Sequence, residues 1–182
     1  MVLSFILRNC AAVLAHLLCI IFNLTLKNAI FPTLWKKAYV SPIFKNGRQN
    51  DRGISLLCNF AKIFETILYS DIYNSTKHLI SPVQHGFMQK KSTVTNLAVF
   101  AQYVSEITDC NGQYDVVYTD FTKAFDQIDH GLLLEKLSNL GFSNWLIKLF
   151  FSYLDNRMFM VKYQNFYSNS FIQFSGVPQG SN

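Results

Sequence analysis

Apolar positions recur along this chain with periods that shift between helix and strand. From Met1 to Phe22 the run is apolar, broken by Arg8, Asn9 and His16, and "IIFNLTLKNAIF" continues it. A helix is expected from about 9 to 28, with Pro32 as its stop. The uninterrupted apolar stretch is too short for a membrane span, and no small-residue cleavage site follows it, so a buried helix is expected here. "WKKAYVSPIFK" (35–45) reads as extended, and "NGRQND" (46–51) carries turn chemistry. Phe60, Ile63, Phe64, Ile67 and Leu68 mark an amphipathic helix from about 58 to 73. Val94, Leu97, Ala98, Ala101, Val104 and Ile107 mark another, with Ser92 as its N-cap. A strand is expected from about 114 to 120. Asp129 should cap a helix through Leu140 that Gly141 ends, and Ser143 one through Leu154. "RMFMVKY" (157–163) and "SNSFIQF" (168–174) read as a β-hairpin.

Helices and strands interleave without a repeat or a linker, so the class is mixed α and β. Composition agrees: half of the 182 residues are hydrophobic and 15% are charged, enough apolar content for one well-filled domain. Cys10, Cys19, Cys58 and Cys110 are widely spaced and form no zinc pattern with the four histidines, which reads as buried free thiols in a reducing compartment. The net charge of +5 is unevenly spread. Residues 1–50 hold six Lys or Arg and no acidic residue, whereas residues 111–182 hold five basic and six acidic ones. A basic first segment followed by a locally acidic one suits a polyanion held near a metal, and equally a basic face that keeps the protein soluble.

"DVVYTDFTKAFDQIDH" (115–130) gathers four of the eleven acidic residues at the end of the expected strand. Alternation puts Val116, Tyr118 and Asp120 on one face, where a carboxylate at a strand end can meet a hard cation such as magnesium. The residue alone reads as readily as an aspartate opening a turn. "SGVPQGS" (175–181) follows about fifty residues later; its glycines and Pro178 allow close backbone approach to a ligand, and Gln179 carries an amide that donates and accepts.

Together with "FPTLWKKAYVSPIFKNG" (31–47), "RGISLL" (52–57) and "QHGFMQKKST" (84–93), these strings resemble the reverse transcriptases of non-LTR (LINE/jockey-type) retrotransposons, in family order over nearly the whole chain. The resemblance implies an α+β fold, the fingers and partial palm of a right-hand polymerase, with helices packed on a small, mostly antiparallel sheet. The fingers would run to about residue 113 and the partial palm from about 114 to 182. It implies RNA-directed DNA polymerase chemistry with RNA template, DNA primer and dNTPs as partners and two Mg2+ ions as cofactors. Asp120 would be the catalytic metal ligand, joined by the Phe121 carbonyl. Phe125 would discriminate against a ribose 2′-hydroxyl, Lys45 and Arg52 would hold the incoming triphosphate, and Gln179 would contact the nucleotide pairing with the template. Asp126 reads as architectural.

Such chemistry rests on charge neutralisation and positioning, which point charges and the planar arginine fork supply. Departures from the family pattern limit it. Gly53 stands where proline is usual, Met88 where arginine is usual, and the chain contains no adjacent Asp-Asp pair to complete a two-metal site. The chain alone is therefore expected not to polymerise. Alternatives are a non-catalytic nucleic-acid-binding remnant and a membrane-anchored protein. An intracellular location, cytoplasmic or nuclear, with no membrane partner, is expected.

Overall fold

The expected helices form, three of them with the side-chain caps read from the sequence. The computed structural model describes residues 9–43 and 52–180, with Arg52 described through its backbone alone. They fall into two compact units, one running up to Tyr69 and resuming at Thr122, the other formed by Ser70–Phe121.

In the first unit α1 (Ala11–Asn28) ends at Ala29, which sits in the left-handed region at φ 52° while its N–H reaches back to the last turn. An alanine there costs strain that a glycine would not, and burial of its methyl in the core offsets it. A short 3-10 turn (Thr33–Lys36) leads into β1 (Lys37–Ile43). β2 (Arg52–Leu56) pairs antiparallel with β1, and β3 (Met158–Tyr163) pairs parallel with it. β4 (Phe166–Tyr167) and β5 (Phe171–Ile172) both run antiparallel to β3, so the sheet is mostly antiparallel around one parallel pair. The expected hairpin thus closes sooner than its pattern implied, through a turn with Gln164 at φ 53°, and its second strand is split into two short pieces.

α2 (Asn59–Thr76) begins in this unit, which also holds α4 (His130–Asn139) and α5 (Asn144–Leu154); α3 (Thr93–Asp109) belongs to the other. Ala29, Phe31, Trp35, Ala61, Phe64 and Leu149 form the main core, and the rings of Phe31, Trp35, Phe64, Phe22 and Tyr153 meet edge-on or tilted. Each fully buried ring contributes about 2 kcal/mol of transfer free energy. A smaller cluster of Ala38, Leu57 and Phe159 fills the sheet face, and the Phe31 N–H donates to Ser152 Oγ of α5 at 2.9 Å. On α2 the buried stripe is Ala61, Phe64 and Glu65, turned away from Ile63 and Ile67, which are exposed.

Three expectations fail. The cysteines are not buried: Cys10, Cys19 and Cys110 are exposed and Cys58 is half-buried. α1 is not a buried helix: Thr25 is its one buried residue, and Val13, Leu17, Ile20, Ile21 and Leu24 are exposed. Only its last turns, through Phe22, Leu26 and the following Ala29, meet the core. By length and composition alone α1 is long and apolar enough to cross a membrane. Nor is 114–120 a strand. It is irregular and exposed throughout and pairs with no strand among the described residues, and an unpaired segment makes no strand.

Candidate functional site

Asp129 fixes one side of the site. Its side chain accepts from the Leu132 N–H at 2.8 Å and caps α4, so the chain enters the helix at a set angle. Just before it, residues 122–127 form a turn in which the amides of Asp126 and Gln127 both donate to the Lys123 carbonyl. Lys123 takes φ 51° to make that turn.

The segment 173–180 is strapped across this turn. Ser175 Oγ donates to the Asp126 carbonyl at 3.0 Å, and the Gly176 N–H to the Ile128 carbonyl at 2.7 Å. The Val177 N–H donates to the Phe125 carbonyl at 2.9 Å, and the Gly176 carbonyl lies 2.7 Å from His130 Nε2. At its far end the Gln179 carbonyl accepts from the Ser55 N–H of β2 at 2.7 Å. Gly176 has φ 82°, and a Cβ there would stand 2.7 Å from the Phe125 carbonyl oxygen and 2.8 Å from Asp126 Cα, both backbone atoms that cannot swing aside. Only glycine allows this approach. Gly180 likewise presses on β2, where an added Cβ would lie 3.2 Å from the Ile54 side chain.

The strap therefore brings together the backbone of Phe125, the half-buried Gln179 and the strand that begins at Arg52. Lys45 lies outside the described residues, and the Arg52 side chain is not described. Asp120 and Phe121 end the other unit, where both are exposed; Tyr118, Val117 and Phe121 are each more than 80% exposed. The strand face expected to carry Asp120 with Val116 and Tyr118 therefore does not form. Among the described residues no three His, Cys, Asp or Glu side chains converge as a metal-binding group. One carboxylate and a carbonyl do not fit a pair of divalent ions about 4 Å apart, which require several bridging oxygens.

The sequence did not single out Ser55, Ser175 or His130. Each acts on a partner far along the chain, 46 residues away for His130, and no local spacing signals such a contact. Gly53 acquires a reason from the structure. It pairs with Pro42 of β1, and a Cβ at this position would lie 2.6 Å from Val40 Cγ1, so the ring of a proline would meet the same obstacle.

Residues 43–182 match the family described as "Reverse transcriptase (RNA-dependent DNA polymerase)". The probable RNA-directed DNA polymerase from transposon BS of Drosophila melanogaster is 31% identical over 171 residues, covering 90% of this chain and 19% of that protein. The RNA-directed DNA polymerase from mobile element jockey of the same fly is 31% identical over 172 residues, again 90% of this chain and 19% of the relative. The corresponding protein from transposon X-element is 29% identical over 89% of this chain and 18% of its own length. The chain thus spans about a fifth of the length of these relatives. With the match running from the end of β1 through the strap, the chain belongs to the reverse transcriptase (RNA-dependent DNA polymerase) family.

Proposed function

We propose that this chain forms the nucleotide-facing part of an RNA-directed DNA polymerase that copies RNA into DNA, with residues to about 113 serving as fingers and later ones as partial palm. The observation that carries the reading is the strap. It ties the Gln179 backbone to β2 and the Val177 backbone to that of Phe125, so that segments distant in sequence meet within the first unit. In this reading Phe125 excludes a ribose 2′-hydroxyl, and Gln179 contacts the nucleotide against its RNA template. Lys45 and Arg52 hold the triphosphate of a dNTP entering at the DNA primer end. Reverse transcriptases use divalent metal ions as a family. In this reading Asp120 and the Phe121 carbonyl contribute one carboxylate and one carbonyl to magnesium binding, a set these two groups do not complete.

The chain alone does not polymerise. Purified protein given RNA template, DNA primer, dNTPs and Mg2+ should incorporate nothing. Incorporation that disappears in Asp120→Ala would overturn the inactivity claim while supporting the metal role. The single-carboxylate donor set favours one second reading, a non-catalytic nucleic-acid-binding remnant, for which RNA binding should persist unchanged in Asp120→Ala. In this reading the protein works inside the cell, in cytoplasm or nucleus. Pelleting of the expressed chain with carbonate-washed membranes would refute that placement.

A further inference from the structure

Gly176 is buried, and a buried peptide group needs partners for both its N–H and its carbonyl. Its N–H donates to the Ile128 carbonyl at 2.7 Å, while its carbonyl faces His130 Nε2, also at 2.7 Å. A carbonyl only accepts, so Nε2 carries the proton and donates. His130 is the first residue of α4, whose start is pinned by the Asp129 cap, so the ring rides on a rigid element. It is half-buried, which shields the bond from competing water.

We propose that His130 is a positioning residue for nucleotide selection. Its Nε2–H latches the strap to the start of α4, just after the turn that carries Phe125, and this bond holds Phe125 and Gln179 in register. The proposal rests on the reading of this surface as a nucleotide site. The strap is short enough for the effect to reach both residues: Val177, next to Gly176, bonds Phe125, and Gln179 is two residues further on. Without the latch the Gly176 carbonyl must find another donor. The strap can then lift from the turn while its far end stays fixed to Ser55.

Two substitutions of the full chain separate a donor from mere ring packing. His130→Phe keeps a ring and removes the donor; His130→Gln keeps an amide donor at similar reach. Hydrogen exchange should show the Gly176 and Val177 amides opening roughly two- to tenfold faster in His130→Phe, the range expected for one lost hydrogen bond, with wild-type protection restored in His130→Gln. The Leu133 and Ile147 amides, bonded at the starts of α4 and α5, should not change and report that the unit remains folded. In parallel, the affinity of the chain for dUTP relative to UTP in Mg2+ should fall by a similar factor in His130→Phe and recover in His130→Gln. Unchanged strap exchange in His130→Phe, or equal loss in both variants, would overturn the latch. A wild-type chain that binds dUTP and UTP equally would instead overturn the nucleotide reading and its selection role, whatever the exchange data show about the bond.

Discussion

Arg157 is the largest fully buried side chain among the described residues, and it makes little use of ordinary hydrogen bonding. Nη1 donates to the Tyr153 carbonyl at 3.1 Å, and the guanidinium lies 4.5 Å from the centre of the Tyr153 ring and 5.9 Å from that of Phe31. Burial lowers its pKa from the ordinary value, and Tyr153 and then the buried Glu65 oppose that shift. A buried charge that depends on its partner becomes a liability when the partner is removed. Arg157→Met should therefore cost about 3–5 kcal/mol in urea unfolding. Adding Glu65→Leu should return a large part of that loss; simple additivity of the two penalties would refute the coupling. Lys36 behaves differently, because its pKa is lowered chiefly by burial, with Asp155 opposing and Arg157 adding to the effect. The folded chain then releases this proton at lower pH than the unfolded chain does. Between its folded value and the ordinary 10.5 the unfolded state binds more protons, so this group makes stability rise with pH. The stability of wild type minus that of Lys36→Met, followed by urea unfolding from neutral pH towards 10.5, should increase, and a flat difference would refute the shift.

Elements show where local pattern suffices and where it does not. α3 has a full capping box, with Ser92 Oγ accepting from the Thr95 N–H at 3.2 Å and Thr95 Oγ1 from the Ser92 N–H at 3.0 Å, yet none of its residues is buried. Caps and periodicity can start a helix, but a helix of this length without burial is marginal in water. Its amides should exchange well before those of α5, whose Leu149 and Leu154 are buried; equal protection of the two would refute this ranking. This contrast explains what the sequence made legible. The caps at Ser92, Asp129 and Ser143 were readable because cap and helix are neighbours in the chain. The strand expected at 114–120 was not, since alternation proposes a strand but only a partner strand makes one. The exposed face of α1 was not legible for a related reason. An apolar stripe says that something should cover it, not that this chain does so. The strap was half legible: its glycines and Gln179 stood out as a motif, but the bonds to Phe125, Ile128, His130 and Ser55 depend on the tertiary fold.

At the scale of the molecule, charge is the property that reaches a partner first. The chain carries +5, and its first fifty residues contribute Arg8, Lys27, Lys36, Lys37, Lys45 and Arg48 without one acidic residue. These six are not equivalent. Lys36 is buried, with Nζ bonded to the Asp155 carbonyl at 3.0 Å, so it serves the fold, whereas Lys37 beside it on β1 is exposed. A polyanion binds by releasing its counterions, and the logarithm of affinity for single strands falls by roughly 0.7 per neutralised phosphate for each logarithm of salt. If the other five cations each meet a phosphate, the slope for single-stranded RNA is about −3.5. Fluorescence anisotropy from 50 to 300 mM salt, roughly the range over which such screening acts, should give a clearly negative slope. Lys37→Ala should make it shallower by about 0.7, and Lys36→Met should leave it unchanged, because a cation already held by a backbone carbonyl releases no counterion. Asp120→Ala should also leave the slope unaltered, since a lone exposed carboxylate does not contact the backbone of the strand. A slope near zero, or equal changes in Lys36→Met and Lys37→Ala, would show that binding does not run through this basic segment.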